Sequence, residues 1–120
     1  MKRLLLVAFI IASPFIAIWA QTIYAVGQFV TLNASTGTPV VLTNTTVKAR
    51  KITFVGKKDL RTVNVGTVWV GWFSGNDTQP IEITSGSTIG LAIPDGAAVD
   101  LSKVYLDVAN ANDGVLVIYE

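Results

Sequence analysis

Cysteine and histidine are both missing from this chain of 120 residues, and only 14% of its residues are charged. Without cysteine there is no disulfide, so stability must come from an apolar core or from association with other chains. Without histidine the chain lacks the usual proton shuttle and the usual ligand of transition metals. A serine nucleophile would have no triad partner, and nothing in the sequence places two carboxylates across a cleft. We therefore expect no enzymatic activity, no cofactor, and no catalytic or metal-binding residue.

A long uncharged run, residues 4–20, follows the basic start of the chain. Together with the small residue Ala20, it forms the pattern of a secretory signal peptide with cleavage before Gln21. A retained membrane anchor is the alternative, because this run of 17 residues approaches the length of about 20 that a spanning helix needs. We predict a hydrophobic helix over residues 1–20, with membrane contact through residues 4–20, and a separate domain over residues 21–120.

The domain after this leader is almost neutral. Setting aside Lys2 and Arg3 leaves seven of the nine Lys and Arg residues against eight Asp and Glu residues. Six of these seven cations lie within residues 47–61, which form either a solvated strand face and loop or a surface for an acidic partner. Aromatic residues do not alternate with them in the way that favours binding of single-stranded nucleic acid. We expect no nucleic-acid partner.

Short segments rich in β-branched residues alternate with turn residues throughout residues 21–120, which is typical of a sandwich or barrel. We predict an all-β fold, an antiparallel β-sandwich of jelly-roll type with about eight strands. A short ninth segment, Val99–Leu101, is either a strand or a lead-in. The predicted strands are Tyr24–Asn33, Val40–Thr43, Lys48–Val55, Val63–Phe73, Ile81–Thr84, Ser87–Ile93, Val104–Val108 and Val115–Tyr119.

The last two predicted strands are joined by the sequence Asn-Asp-Gly at 112–114, which is typical of a hairpin turn. Val115–Tyr119 is apolar on both faces, so we expect this strand to lie inside a sheet. The side chains of Asp107, Asn110, Asn112 and Asp113 are also oxygen ligands of the kind calcium prefers. The spacing of an EF-hand and its closing glutamate are missing, so a turn is the simpler interpretation.

Aromatic residues are concentrated in the segment VWVGWF at 68–73. In a regular strand Trp69 and Trp72 would point to opposite faces, so we expect one of them in the core. The other is a candidate for a subunit interface or for a platform that stacks on sugar rings. Our predicted interface residues are Trp72, Phe73, Tyr105 and Tyr119.

Two parts of the chain resemble small virion proteins of bacteriophages, the head-decoration and head-fibre-like structural proteins. One is VNVGTVWVG at 63–71, and the other is PIEITSGSTIGLAI at 80–93 followed by residues 99–120, in which DLSKVY at 100–105 is the most specific run. The resemblance implies a sandwich-like, often oligomeric structural protein without an active site. The hydrophobic leader departs from that family, and it suggests either a virus with an internal membrane or a protein exported by a bacterium.

The predicted function is therefore that of a structural virion protein, a capsid-associated or surface subunit of the decoration, fibre or spike type. Its expected partners are copies of itself and a major capsid protein or other virion protein. Its expected location is the virion, at the capsid surface or membrane-associated, and otherwise the cell surface or the medium. One alternative is a secreted carbohydrate-binding module using Trp69 or Trp72. Another is an exported bacterial filament subunit that donates the strand Gln21–Leu32 to a neighbour.

Overall fold

The computed structural model describes residues 26–75 and 79–120. Apart from one 3₁₀ turn at Leu101–Lys103, the regular structure in these residues is entirely β, which confirms the predicted all-β class. The predicted hydrophobic helix over residues 1–20 lies outside the described residues. Within the described ranges, no helix has the length and apolar character needed to cross a membrane.

Ten strands are present in the described residues, rather than the predicted eight. They are β1 (Gly27–Asn33), β2 (Val40–Val41), β3 (Lys48–Ala49), β4 (Lys51–Val55), β5 (Val68–Gly71), β6 (Ile81–Ile83), β7 (Thr88–Ala92), β8 (Val99–Asp100), β9 (Tyr105–Val108) and β10 (Asp113–Tyr119).

The strands form two larger sheets and one small one, and every strand pair is antiparallel, as predicted. Sheet A has the order β1-β10-β4-β7, and sheet B has the order β2-β9-β5-β6. The small sheet contains β3 and β8. β10 lies between β1 and β4, which confirms that the two-sided apolar strand is internal to a sheet.

One apolar core draws its side chains from both larger sheets. Along β4, Ile52 and Phe54 are buried while the residues between and beside them are more exposed, as the period of two in a strand dictates. β10 of sheet A contacts both β5 and β9 of sheet B. The buried residues of these three strands that share the core are Val68, Val70, Leu106, Val108, Val115 and Val117.

The predicted hairpin between the last two strands is wrong, because β9 belongs to sheet B and β10 to sheet A. The chain crosses between the sheets at Asn112, which has a left-handed backbone with φ of 67°. Its N–H donates to the carbonyl of Asn33 at 2.8 Å. Asparagine tolerates this conformation in a crossing as readily as in a hairpin turn, so the turn residues alone do not distinguish the two.

The predicted strand Lys48–Val55 is also wrong as a single element, because it divides at Arg50 into β3 and β4. The N–H groups of Arg50 and Lys51 both donate to the carbonyl of Glu120, at 2.7 and 3.0 Å. β3 pairs with β8 in the small sheet, whereas β4 pairs with β10 and β7 in sheet A.

Two other predicted strands have a different extent or position from the one expected. The strand expected over Val63–Phe73 is confined to Val68–Gly71. Of the described part of the proposed donor segment, residues 26–32, Gly27–Leu32 pairs with β10 of its own chain.

Candidate interaction surfaces

Eight large apolar side chains are exposed in the described parts of the chain. Scattered exposed apolar residues are normal on protein surfaces, but neighbouring ones can mark a contact site. Three lie together in residues 57–66, which we call the apolar loop, and two are adjacent at Trp72 and Phe73. The eight residues are Val26, Leu32, Leu60, Val63, Val65, Trp72, Phe73 and Ile118.

The tip of the apolar loop is a tight turn around Asp59. The carboxylate of Asp59 accepts the N–H groups of Arg61 and Thr62, each at 2.6 Å. These backbone hydrogen bonds hold the pKa of Asp59 below its ordinary value. Leu60 stands at this turn with 60% of its surface exposed. The turn thus presents an apolar side chain on a hydrogen-bonded support.

The base of the apolar loop is fixed by the buried carboxylate of Asp113. One oxygen accepts the N–H of Val65 at 3.1 Å, and the other accepts the N–H of Gly66 at 2.8 Å. The ammonium of Lys58 lies 3.1 Å from the same carboxylate. Burial by itself raises the pKa of Asp113, but these hydrogen bonds and the ammonium outweigh it, so the pKa lies below its ordinary value. The carboxylate is therefore charged at neutral pH.

Asn64 attaches the middle of the loop to β10. Its side-chain amide donates to the carbonyl of Gly114 at 2.7 Å, and its side-chain oxygen accepts the N–H of Gly114 at 2.9 Å. The hydroxyl of Ser85 donates to the Asn64 carbonyl. Because Asn64 points inward, Val63 and Val65 point outward, with 49% and 74% of their surfaces exposed.

The other exposed apolar surface, formed by Trp72 and Phe73, follows the end of β5. The N–H of Phe73 donates to the side-chain oxygen of buried Gln79 at 3.1 Å, and the Gln79 amide donates to the carbonyl of Phe73 at 2.6 Å. Trp72 and Phe73 have 50% and 48% of their surfaces exposed. The side chain of Gln79 thus satisfies both backbone groups of Phe73.

The four predicted interface residues do not lie together. Trp72 and Phe73 directly follow Gly71, and the Cα partner of Gly71 on β9 is Tyr105. Trp72, Phe73 and Tyr105 are therefore near one end of sheet B. Tyr119 is part of sheet A, where it packs against the core and its ring centroid lies 5.9 Å from that of Phe29.

Trp69 is half-buried on the outer face of sheet B, since its neighbours Val68 and Val70 point into the core. Its Cα partners on the adjacent strands are Glu82 and Asp107. The expectation that either Trp69 or Trp72 belongs to the core is wrong, because neither side chain is fully buried.

Three of the six cations in residues 47–61 lie against acidic side chains. Apart from the pair of Lys58 with Asp113, Lys51 contacts Glu120 at 2.8 Å and Arg50 contacts Asp95 at 3.1 Å. The hydrogen bond and the charge of Glu120 raise the pKa of Lys51. These pairings favour the interpretation of the stretch as a solvated strand face and loop.

Two of the four residues considered as calcium ligands, Asp107 and Asp113, have other partners. Asp107 accepts the N–H of Gly37 at 2.9 Å, whereas Asp113 faces Lys58 and the apolar loop. Over residues 26–75 and 79–120, no group of three or more acidic side chains gathers in an arrangement that would hold a metal ion.

The run that carries the resemblance to virion proteins, residues 100–105, forms the capped 3₁₀ turn that leads into β9. The carboxylate of Asp100 accepts the hydroxyl of Ser102 at 2.7 Å and its N–H at 3.0 Å. Both hydrogen bonds lower the pKa of Asp100 from its ordinary value, and the bond from the Ser102 hydroxyl has the larger effect. Leu101 is buried. Asp100 and Ser102 therefore cap the turn, and Leu101 packs in the core.

The sequence pattern predicts a strand that begins at Val63, whereas residues 63–66 belong to the apolar loop and the strand begins at Val68. The sequence signal for a longer loop is an asparagine between two valines, directly after the loop residues 56–62. No known protein family matches the chain, and it matches neither a curated protein nor a solved structure.

Proposed function

We propose that this protein is a structural assembly subunit that binds copies of itself and a neighbouring shell protein through preformed apolar surfaces. The resemblance at residues 63–71, 80–93 and 99–120 suggests that the shell is a virion, with the subunit in a decoration, fibre or spike role. On this proposal the body is a two-layer sandwich of jelly-roll type, supported by the single core that sheets A and B share.

The apolar loop is the observation that carries the proposal. It keeps Leu60, Val63 and Val65 in water although burying a large apolar side chain is worth about 1.5–3 kcal/mol. An ion pair between Lys58 and the buried carboxylate of Asp113, and two hydrogen bonds between Asn64 and Gly114, hold the loop in place. A surface that is already ordered loses little conformational entropy when a partner covers it, so this arrangement favours binding.

Sedimentation velocity of the full chain over a wide range of concentration tests the proposal. We expect species larger than a monomer, and we expect a Val63→Ser/Val65→Ser variant to shift towards smaller species while keeping the wild-type circular dichroism spectrum. Val26→Ser is the matched control, since Val26 is about as exposed as Val65 but lies directly before β1, outside the apolar loop. A chain that sediments as a monomer at every concentration would overturn the proposal.

A second candidate function, carbohydrate binding, is favoured by the position of Trp69. Its half-buried ring lies on an outer sheet face between Glu82 and Asp107, an arrangement that offers both stacking and hydrogen-bond acceptors to a sugar. A polysaccharide pull-down tests this function: binding that is lost in Trp69→Ala and kept in Trp72→Ala would support it. If both variants bind the polysaccharide equally well, Trp69 is not the stacking platform.

A further inference from the structure

Within residues 26–75 and 79–120, sheet A ends in two edge strands without an outer partner, β1 and β7, and neither carries the features that usually protect an edge strand. Natural proteins block such edges with charged side chains, proline or bulges, because unpaired backbone groups recruit other strands. The sequences of the two edges are GQFVTLN and TIGLA, which contain no charged residue and no proline.

The backbone groups that face outward on β7 follow from its pairing with β4. The N–H of Gly56 donates to the carbonyl of Ser87, and the N–H of Ile93 donates to the carbonyl of Arg50, both at 2.9 Å. In an antiparallel pair, hydrogen-bonded residues alternate with residues that face the other side. The β7 residues whose N–H and C=O groups point away from the sheet are therefore Thr88, Gly90 and Ala92.

The same reasoning applies to β1. Lys51 and Glu120 exchange both of their backbone hydrogen bonds at 3.0 Å, so on β10 Glu120 and every second residue before it bond to β4. The intervening residues of β10 bond to β1, where their partners include Phe29 and Thr31. The outward-facing backbone groups of β1 consequently belong to Gln28, Val30 and Leu32.

The two edges are complementary in direction. Sheet A has four antiparallel strands, so β1 and β7 run in opposite directions. A second copy placed beside the first can therefore pair its β1 with the β7 of its neighbour in the antiparallel sense. Three hydrogen-bonded residue pairs would supply about six main-chain hydrogen bonds.

The two edges are also complementary in shape. On the outer face of sheet A, β1 presents the larger side chains of Val30 and Leu32, while β7 presents Gly90 and Ala92. A Cβ atom added at Gly90 would meet nothing within 4 Å, so there is open space above this residue. Placing Val30 opposite Gly90 fills that space, whereas pairing β7 with another β7 would leave it empty.

The same register continues the core. With Val30 opposite Gly90, the inward-facing residues Phe29 and Leu91 become cross-strand neighbours. Both are half-buried and already pack against the apolar core of their own subunit. Burial of this pair would add an apolar contact to the hydrogen bonds of the edge.

We propose that copies of this chain associate head to tail by pairing β1 of one copy with β7 of the next, with Val30 opposite Gly90. This inference rests on the proposed assembly function and identifies the partner of sheet A as a second copy of the chain. A head-to-tail contact leaves a free edge at each end, so it builds rings or open filaments instead of closed dimers. Each strand adds a twist of roughly 20–25°, so the copies would wind around an axis.

Cysteine cross-linking tests the register, because the natural chain contains no cysteine. Under oxidation the full-length double variant Val30→Cys/Gly90→Cys should form a ladder of disulfide-linked multimers. Residues directly opposite each other on neighbouring antiparallel strands have a Cα–Cα distance within the range that a disulfide needs. Val30→Cys and Gly90→Cys should each form little cross-linked product alone and form dimers when mixed. A dimer from Gly90→Cys alone, at the level of the mixture, would show β7–β7 pairing and overturn the proposal.

Val30→Cys/Thr53→Cys is the control for random collisions, because Thr53 lies on β4 inside the same sheet, opposite Gly90. It should give no ladder. A ladder equal to that of the Val30→Cys/Gly90→Cys variant would overturn the assigned register.

Blocking the edge provides an independent test. The N–H of Gly90 faces away from β4, so Gly90→Pro removes no hydrogen bond of the subunit, and proline is tolerated at such edge positions. We expect Gly90→Pro, and the edge charge Ala92→Lys, to raise the concentration for half-assembly at least tenfold, while Gly90→Ala leaves it within about twofold. Circular dichroism identifies the variants that remain folded.

The outcomes separate this inference from the proposed function. If the wild-type chain assembles and folded Ala92→Lys and Gly90→Pro assemble equally well, edge pairing is wrong and the assembly function stands. If the wild-type chain is monomeric at every concentration, both are wrong.

Discussion

The ammonium nitrogen of Lys58 lies 3.1 Å from the carboxylate of Asp113, a side chain with no exposed surface. Lys58 belongs to the apolar loop, and Asp113 begins β10, the strand between β1 and β4. This ion pair, with the N–H groups of Val65 and Gly66, therefore connects the most exposed apolar side chains of the loop to the interior of sheet A.

Asp113→Asn should destabilise the fold, because one neutral oxygen cannot replace a charged carboxylate that accepts two backbone N–H groups and a lysine. A hydrogen bond to a charged group is worth about 1.5–3 kcal/mol, and we expect a loss of free energy of unfolding of about 2–4 kcal/mol. Urea unfolding measures it. Asp95→Asn, at the fully exposed partner of Arg50, is the control and should have little effect. Equal losses in the two variants would contradict the role assigned to Asp113.

The stability of the protein should depend on acid through the same carboxylate. The pKa of Asp113 is lower in the folded chain than its ordinary value, so its ionised form stabilises the fold above the unfolded pKa of about 3.9. This contribution is lost as the pH falls through the lower, folded pKa. The lowered pKa values of Asp59 and Asp100 act in the same direction.

Urea unfolding as a function of pH should therefore show a decline in stability below about pH 5 that is shallower in Asp113→Asn than in the wild-type chain. Parallel curves for the two proteins would show that Asp113 does not contribute to the acid dependence.

Two glycines in strands should respond to alanine in opposite ways. At Gly71 an added Cβ would lie 2.2 Å from Cδ of Pro80 and 2.6 Å from the side-chain oxygen of Gln79, so Gly71→Ala should cost about 1–3 kcal/mol. At Gly90 the space is open, and Gly90→Ala should be neutral or stabilise the fold by about 0.4–1 kcal/mol. Thermal unfolding of the two variants measures both. A larger loss at Gly90 than at Gly71 would contradict the packing described here.

The Gly71 variant has a second readout in the turn that follows. Since Gln79 holds both backbone groups of Phe73, displacing it should change the environment of Trp72. We expect a shift in tryptophan fluorescence in Gly71→Ala that is absent in Gly90→Ala.

Phe54→Ala should be the most damaging of these substitutions, because Phe54 is the largest of the fully buried side chains of the core. Truncating a buried phenylalanine costs about 3–5 kcal/mol. Thr53→Ala, on the outer face of the same strand, is the control and should change the free energy of unfolding by less than about 1 kcal/mol. Denaturant unfolding of both variants tests this, and similar losses would contradict the assignment of the two faces of β4.

Short β-branched segments separated by turn residues were enough to predict the all-β fold class. They were not enough to pair the strands. β9 and β10 have inward apolar faces whether they form a hairpin in one sheet or lie in different sheets, and Asn112 suits either connection. The partner of each strand depends on contacts that are distant in the sequence.

The apolar loop reverses the usual rule for which side chains are buried. Asn64 is inside and Val63 and Val65 are outside, because Asn64 satisfies backbone groups of Gly114 that no apolar side chain could satisfy. That requirement arises only after β10 is in place, so the hydrophobicity of residues 63–65 does not predict which of these side chains is buried. Of the predicted interface residues, Trp72 and Phe73 are about half exposed, whereas Tyr119 packs against Phe29.

We propose that this protein works by adhering to its neighbours through preformed β surfaces. The mass of the particle that contains it in an extract of its native source, measured by size exclusion with light scattering, tests this proposal. We expect a particle many times the mass of one chain, which contains repeated copies together with a shell protein. Recovery of all the protein as free single chains would contradict it.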